Sequence, residues 1–332
     1  MYEVDFSKPI HIHFIGIGGI SMSGLAEILL KENFTISGSD AKESDLTRHL
    51  TSLGAQVFYG QKAENIIPGI DLVVYTAAIH PDNPEFAAAK AAGIPMLTRA
   101  ELLGQIMRNY NTPIAVSGTH GKTTTTSMLS HILMAADCDP TISVGGILPS
   151  IGGNIRVGHS ETFLTEACEY TNSFLSFFPK IGIILNMDAD HLDFFKDIDD
   201  IRHSFREFAR LLPADGMLII NADTPKYDYV TEDLGCKIVT YALENQSVAD
   251  YTAANITYDE FDHPSFDCIC RGELRGRYTL MVPGLHNVSN ALAAIALADE
   301  LQLPENAIHE ALPPSAEPTA VSSIRVHTTE QR

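Results

Sequence analysis

The chain has 332 residues, of which 45% are hydrophobic and 19% charged, a composition typical of a folded α/β protein with two or three domains. Its formal net charge of −20 at pH 7 argues against nucleic acid or an anionic membrane as a partner, but does not exclude a small anionic ligand held by local donors. The five cysteines are scattered and form no C-x-x-C pair, which predicts a reduced, cytoplasmic protein. The sequence has no apolar run of ~18 residues and no signal-peptide pattern, so membrane insertion is not expected.

The first part of the chain alternates predicted strands and helices around a glycine-rich turn. The turn 16–21 follows the predicted strand Ile10–Ile15 and resembles the dinucleotide fingerprint G-x-G-x-x-G, with Ser21 at the third glycine position. Asp40 ends the next predicted strand, 40 − 18 = 22 residues after Gly18, the usual place for a ribose-contacting acid. Such a turn serves NAD, FAD or a UDP-sugar, or merely permits tight packing. It predicts a Rossmann-like domain over residues 1–109.

The second part opens with a phosphate-binding loop. The apolar run 114–116 predicts a buried strand, helical spacing begins at Met128, and Gly118-Thr119-His120-Gly121-Lys122-Thr123-Thr124 lies between them. This is the short G-T-x-G-K-T form, in which backbone N–H groups face the anion, the lysine neutralises phosphate charge and the hydroxyl can ligate Mg²⁺. A plain glycine turn would leave the lysine and four threonines unexplained. Residues 110–311 are therefore predicted to form a P-loop α/β domain that binds ATP or GTP, and the family resemblance given below implies an ATPase domain.

Acidic residues follow two further predicted strands. Glu166 comes after the strand 163–165, and the run 186–193 comes after the apolar strand 181–185, which is typical of a central parallel strand. Open α/β sheets place ligands at this end of their strands, and Mg²⁺–nucleotide chemistry requires acidic groups opposite a Lys-Thr loop. The alternative for the Asp-rich turn is N-capping of the next helix by Asp193 or Asp197.

The C-terminal part of the second domain is predicted to be mainly antiparallel, because four runs alternate in polarity, at 237–241, 251–258, 266–270 and 277–282. An alanine-rich helix to Leu301 follows. His286, Asn287 and Asn290 share one face of this helix or its N-terminus. A polar cluster there is either a helix cap or a site that reads a nucleotide base.

Together these motifs resemble the Mur ligase family, and the resemblance extends to about Leu312. The matching segments are Gly16-Ile17-Gly18-Gly19 with Met22-Ser23-Gly24, the loop 118–124, Glu166-Ala167-x-Glu169, Asn186-x-x-Ala189-Asp190-His191-x-Asp193 and Gly284-x-His286-Asn287-x-x-Asn290-Ala291. The histidine in the loop and the Gly-Gly turn favour the branch that adds L-alanine to UDP-N-acetylmuramate. The ligase that recycles murein peptide is the nearest alternative, and it normally has a different first glycine motif.

The resemblance implies a role for each matching residue. ATP phosphates are held by Gly118, Thr119, His120, Gly121, Lys122, Thr123 and Thr124, and Asn287 and Asn290 lie near adenine. Lys122, Glu166 and His191 are implied to be catalytic, with Mg²⁺ on Thr123, Glu166 and His191. The UDP part of the acceptor is implied to lie near Gly16, Gly18, Gly19, Met22, Ser23, Ser39 and Asp40. ATP would phosphorylate the muramoyl carboxylate, and L-alanine would attack the acyl phosphate.

Mur ligases carry a third, C-terminal domain, and this chain is expected to lack it, with 312–332 as a tail without strand or helix pattern. Codons for Thr319–Ile324 can be chosen so that a two-base shift encodes Arg-Arg-Phe-Glu-Tyr, a motif expected after the central domain. The hypothesis is a reading-frame slip near 311–314, which the gene sequence would test. On this view the chain is an impaired ligase or a non-catalytic nucleotide-binding fragment. An NAD-dependent oxidoreductase would leave the phosphate loop unused. The sequence predicts no oligomeric state.

Overall fold

The first sheet of the protein is a five-stranded parallel sheet in a computed structural model that describes residues 2–76 and 78–312. Its strands, in the order β3-β2-β1-β4-β5, are β1 (His11–Ile15), β2 (Thr35–Asp40), β3 (Gln56–Tyr59), β4 (Leu72–Tyr75) and β5 (Met96–Thr98). The helices between them are α1 (Ile20–Lys31), α2 (Asp45–Ser52), α3 (Pro84–Ala91) and α4 (Arg99–Met107).

The strand order reverses at β1, which pairs with β2 on one side and with β4 on the other. Such a switch point opens a crevice at the carboxyl ends of the strands, where doubly wound sheets bind ligands. The glycine turn joins β1 to α1, so it lies at this crevice. The predicted Rossmann-like architecture is confirmed.

The second sheet has ten strands in the order β15-β14-β13-β12-β11-β10-β6-β9-β7-β8. They are β6 (Thr112–Ser117), β7 (Thr141–Leu148), β8 (Gly153–Arg156), β9 (Thr162–Ala167), β10 (Ile181–Ile184), β11 (Met217–Asn221), β12 (Lys237–Ala242), β13 (Tyr251–Tyr258), β14 (Pro264–Cys270) and β15 (Glu273–Thr279). The accompanying helices are α5 (Lys122–Ala135), α6 (Ile198–Ala209), α7 (Tyr227–Thr231), α8 (Leu285–Glu300) and α9 (Glu305–Ala311).

The phosphate-loop strand β6 lies inside this sheet, paired in parallel with β10 and β9. The loop after β6, the acidic residues at and just after the end of β9 and the Asp-rich turn after β10 therefore meet at one edge. This confirms the predicted P-loop α/β architecture.

One sequence expectation was wrong in detail, and one pair of strands was not predicted. The strand β12 pairs in parallel with β11, so the predicted antiparallel arrangement holds only for β13, β14 and β15. The polarity of 237–241 alternates because Lys237 and Ile238 are exposed at the start of the strand. The glycine-rich stretch after Thr141 forms the hairpin of β7 and β8, which composition concealed because glycine is depleted in strands.

The apolar core extends across both sheets. One cluster joins β1 and α4 residues such as Phe14 and Ile106 to Phe163 and Phe205 of the second sheet and its helix α6. A second cluster lies under α5 and α8 on the opposite face of the larger sheet. The predicted boundary near Asn109 falls between α4 and β6. Of the predicted tail, Leu312 is buried and 313–332 lie outside the described residues.

Close backbone contacts fix the junction between the two parts. A Cβ atom at Gly24 of α1 would lie 2.1 Å from Ile155 Cγ1 of β8, and one at Gly104 of α4 would lie 1.9 Å from the Ser176 carbonyl oxygen. Asn154 Nδ2 also donates to the Ile20 carbonyl at 3.2 Å. Of the helices in the described residues, none has the length and apolar character needed to cross a membrane.

Gly24→Ala should destabilise the protein by about 1–3 kcal/mol, the usual cost of overpacking a closely packed contact, because the new methyl group overlaps Ile155. Chemical denaturation measures the loss. Ile155→Ala in the same chain should recover much of it, whereas Ile155→Val, which keeps a γ-carbon, should not. Gly235→Ala is the matched control, because its Cβ atom would meet Ala214 at an ordinary 3.9 Å. Equal losses at the two glycines would contradict this reading of the junction.

Candidate functional site

The phosphate loop requires glycine at two positions. Gly118 has a φ of 144° and Gly121, the N-cap of α5, has a φ of 84°, a region that residues with a side chain rarely adopt. A Cβ atom at Gly121 would also lie 2.6 Å from Asn290 Oδ1. The loop thus brings its backbone against α8 and directs the N-terminus of the 14-residue helix α5 outwards. Such a helix end attracts an anion.

The loop is held rigidly by the segment that follows β10. Asn186 Oδ1 accepts the His120 N–H at 2.8 Å, and Asn186 Nδ2 donates to the His120 carbonyl at 3.0 Å. The Asp188 N–H donates to Thr119 Oγ1 at 2.9 Å. The loop conformation is therefore set before a ligand arrives, which is the condition for strong electrostatic stabilisation. Sequence reasoning had placed Asn186 in a motif without finding this contact.

Lys122 forms a largely buried ion pair with Glu169, with 3.0 Å between Nζ and Oε2 and side-chain exposures of 17% and 2%. Its ammonium group also donates to the Thr119 carbonyl at 3.1 Å and to the Gly118 carbonyl. All three N–H donors of the ammonium group are thus engaged, one by Glu169 and two by carbonyl groups of the loop. Glu169 had no assigned role at the sequence level. The signal for it was its position three residues after Glu166 at the end of one strand.

Glu166 faces the other side of the loop. Its Oε2 accepts the Thr123 hydroxyl at 3.1 Å and its Oε1 accepts the Gly145 N–H at 2.9 Å. Burial raises the pKa of this carboxyl group, and the bonds from Gly145 and Thr123 and the charge of Lys122 only partly oppose the rise. The structure therefore brings two of the three predicted metal ligands, Thr123 and Glu166, into contact.

These oxygen donors fit Mg²⁺. The ion prefers oxygen ligands and in nucleotide sites takes only one or two protein ligands beside phosphates and water, so a hydroxyl in contact with a carboxylate is enough. The described residues contain no group of three or more His, Cys, Asp or Glu side chains placed to hold a metal ion.

His191 lies in a strained turn stacked against an aromatic ring. Its φ is 51°, unusual for a non-glycine residue, and its ring centroid lies 4.5 Å from that of Tyr170. The Tyr170 hydroxyl donates to Asp193 Oδ2 at 2.8 Å, which ties the loops after β9 and β10 together. Asp197, by contrast, caps α6 by accepting two backbone N–H groups, as the alternative reading of the Asp-rich turn expected. Ligation of metal by His191 stays a prediction.

The asparagine pair belongs to the same site. Asn287 Nδ2 donates to the Pro283 carbonyl at 2.7 Å, Asn290 Nδ2 donates to Asn287 Oδ1 at 3.1 Å, and both side chains are buried. Asn290 also packs against Gly121. The pair thus orders the start of α8 beside the phosphate loop. Its contact with adenine stays a prediction.

The first glycine turn uses most of its own donors. The N–H groups of Gly16 and Ile17 donate to the Ser39 carbonyl at 2.9 Å, and the Gly18 N–H donates to Asp40 Oδ2 at 2.8 Å. The Gly19 N–H donates back to the Gly16 carbonyl at 3.2 Å. Asp40, predicted to contact a ribose, therefore also fixes the turn.

The donors that remain for an anion are those of the first turn of α1, beginning at Ile20, because helix geometry gives them no acceptor and Gly19 supplies no side-chain cap. Of the predicted acceptor-binding residues, Met22 has its side chain in the core, and Ser23 is buried with its hydroxyl on the Ile20 carbonyl. Ser39 is buried and donates to Glu85. These three side chains are therefore buried beneath the turn and support its conformation.

Family comparisons agree with this geometry. The model described as Mur ligase family, catalytic domain matches residues 11–111, and the Mur ligase middle domain matches residues 116–298. The chain belongs to the Mur ligase family. The matched segments contain the first sheet with its glycine turn and most of the second sheet with the phosphate loop.

Curated relatives resemble this chain over most of its length and are longer than it is. The UDP-N-acetylmuramate–L-alanine ligase of Agathobacter rectalis is 66% identical over 93% of this chain and 67% of its own length. That of Lachnospira eligens is 61% identical over 91% of this chain and 66% of its own length. The chain thus spans about two thirds of the length of these relatives.

Solved structures share the fold. UDP-N-acetylmuramate-alanine ligase MurC of Thermotoga maritima is 31% identical with a TM-score of 0.76, covering 91% of this chain and 68% of that one. A ligase from Neisseria meningitides named for UDP-N-acetylmuramate and L-alanyl-γ-D-glutamyl-meso-diaminopimelate is 27% identical with a TM-score of 0.81, covering 93% and 99%.

The two neighbouring carboxylates should respond oppositely to neutralisation. Glu166→Gln should raise the thermal midpoint at pH 8, because burial disfavours its charge and the amide keeps partners for Thr123 and Gly145. Glu169→Gln should cost about 1–3 kcal/mol, since the Lys122 ammonium loses its carboxylate but keeps two carbonyl acceptors.

The pH dependence supplies the check on this pair. Because the folded pKa of Glu166 is raised, protonation stabilises the folded state, and that contribution is present at low pH and lost as the pH rises through the raised pKa. The advantage of Glu166→Gln should therefore shrink as the pH falls. A loss of stability in Glu166→Gln at pH 8, or a gain in Glu169→Gln, would contradict the assigned environments.

Proposed function

We propose that this chain carries the nucleotide and acceptor sites of an ATP-dependent ligase that joins L-alanine to UDP-N-acetylmuramate. The observation that carries the proposal is the phosphate loop, in which Lys122 meets the buried Glu169 and Thr123 meets the half-buried Glu166 at the carboxyl edge of the second sheet. The curated relatives named for this activity, at 61% and 66% identity, supply the substrate pair.

The reaction has two steps. A carboxylate oxygen of the acceptor attacks the γ-phosphorus of ATP, an acyl phosphate forms and ADP leaves. The amino nitrogen of L-alanine then attacks the acyl carbon, phosphate leaves with the bonding electron pair, and the amine loses a proton. Phosphoryl transfer of this kind depends mainly on positioning and on neutralisation of charge.

The residues of this chain perform that positioning. The loop backbone between Gly118 and Thr124 and the N-terminus of α5 hold the phosphates. Lys122 moves from Glu169 and the loop carbonyls to the β- and γ-phosphate oxygens. Mg²⁺, held by Thr123 and Glu166 and by His191, supplies charge neutralisation when bound. Asn287 and Asn290 lie towards the adenine.

The acceptor occupies the crevice of the first sheet. Its diphosphate faces the first turn of α1, because the N–H groups of the glycine turn itself are engaged. Asp40 and the Ser39 end of β2 lie beside the ribose and uridine. Residues 1–109 are thus the acceptor domain and 110–311 the ATP domain.

The alanine-adding assignment is favoured over the recycling ligase. The Neisseria meningitides ligase named for UDP-N-acetylmuramate and L-alanyl-γ-D-glutamyl-meso-diaminopimelate has a TM-score of 0.81 but is only 27% identical. The curated alanine ligases are 61% and 66% identical. The soluble substrates and the free cysteines favour a cytoplasmic location.

Lys122→Ala should weaken ATP binding by about tenfold or more, as expected when charge-assisted hydrogen bonds to phosphate are lost. Titration calorimetry with ATP and Mg²⁺ measures the affinity. UDP-N-acetylmuramate should bind the variant as it binds the native chain, because its site lies on the first sheet. Lys180→Ala, at an ion-paired lysine before β10, is the control.

Substrate assignment has its own test. ADP release that depends on both UDP-N-acetylmuramate and L-alanine, with UDP-N-acetylmuramoyl-L-alanine identified by mass spectrometry, would support the ligase. Binding of both nucleotides without turnover would support the non-catalytic fragment instead. Binding of NAD in preference to UDP-N-acetylmuramate would overturn the proposal.

A further inference from the structure

Arg99 differs from the other arginines of the described residues. Nine arginines each form an ion pair with an aspartate or a glutamate. Arg99 is partly buried, yet its side chain has neither an ion pair nor a hydrogen bond within residues 2–76 and 78–312. Burial lowers the pKa of its guanidinium group. A partly buried arginine without a partner lowers the stability of the folded protein. An arginine that serves the fold is usually paired with an acidic group, so the absence of a partner here needs another explanation.

The local fold increases that cost. Arg99 is the first residue of α4, and a cation is unfavourable at a helix N-terminus. The nearby carboxylate of Glu101 is occupied by the capping box, where it accepts the N–H and the hydroxyl of Thr98 at 2.7 and 2.8 Å. Neither capping nor an ion pair within α4 therefore explains an arginine here.

Its position relates it to both ligand sites. Arg99 follows β5 at the carboxyl edge of the first sheet, where the glycine turn lies. The helix α4 packs on the segment after β9, with Gly104 against the Ser176 carbonyl. Burial raises the pKa of the Cys168 thiol, and the charges of Lys122 and Arg99 are among the influences that oppose the rise. Arg99 thus lies at the ligand-binding edge of the first sheet, at the start of the helix that packs on the segment after β9.

We propose that Arg99 is an acceptor-binding residue, whose guanidinium group binds an anionic group of the sugar nucleotide where that substrate crosses from the first sheet to the phosphate loop. This inference rests on the proposed function. The planar guanidinium fork suits the paired oxygens of a carboxylate or a phosphate. The acceptor carries both, as a lactyl carboxylate and as a diphosphate.

Calorimetric titration of the native chain and of Arg99→Ala with UDP-N-acetylmuramate tests the inference. The variant should bind about tenfold more weakly or worse, while its ATP affinity stays unchanged. Arg99→Lys should fall between the two, because it keeps the charge and loses the fork. Arg210→Ala, at an exposed ion-paired arginine, should leave both affinities unchanged.

UDP-N-acetylglucosamine, which has the diphosphate but no lactyl carboxylate, identifies the anion. Equal weakening for the two sugar nucleotides assigns the diphosphate, and weakening for UDP-N-acetylmuramate alone assigns the carboxylate. Either result supports the inference, and unchanged affinity for UDP-N-acetylmuramate overturns it. If the native chain binds neither sugar nucleotide, the proposed function fails.

Stability separates binding from a structural role. The thermal midpoint of Arg99→Ala should equal or exceed that of the native chain, because an unpaired and partly desolvated charge is removed. A lower midpoint with unchanged affinity would show that Arg99 serves the fold and would overturn the inference.

Discussion

The buried ion pair between Lys122 and Glu169 is the interaction on which the site depends. Two charges with side-chain exposures of 17% and 2% are tolerated in that position only as a pair. The pair fastens the start of α5 to the end of β9. Because the ammonium group also occupies two loop carbonyls, the loop is closed on itself. Any anion that binds Lys122 must compete with Glu169 for the same ammonium, so its binding would exchange one ion pair for another.

Glu166 and Glu169 show how one strand end supports two electrostatic roles. Glu166 lies at the end of β9 and is half-buried, and Glu169 follows the strand and is buried. Glu169 faces a cation at 3.0 Å, whereas Glu166 faces a hydroxyl and a backbone N–H. Burial accordingly raises the pKa of Glu166. A carboxylate without a directly paired cation retains its capacity to bind one. The same edge of the sheet thus holds one carboxylate that is paired with a cation beside one that is not.

Sequence reasoning found the parts whose signals are local. The alternation of elements, both glycine turns and the Lys-Thr loop each lie within a few consecutive residues, and the structure contains them all. It missed interactions that join distant segments, such as Asn186 on the His120 backbone across 66 residues and the approach of Asn290 to Gly121. It also missed strand β7, since the glycines there lower β-propensity. No local pattern distinguishes an unpaired arginine such as Arg99 from the paired ones.

The glycine-rich hairpin of β7 and β8 explains why propensity failed there. At one end, Gly145 donates its N–H to Glu166, and a Cβ atom at that glycine would lie 3.0 Å from the carboxylate. At the other end, Asn154 and Ile155 contact α1 at Ile20 and Gly24. The hairpin therefore contacts both the phosphate loop's neighbour Glu166 and the helix α1. The first contact needs a glycine in the hairpin, at Gly145, and the second needs one in α1, at Gly24. Close approach thus explains the glycine at position 145, and the pairing of β7 with β9 stabilises a strand whose glycines give it a low β-propensity.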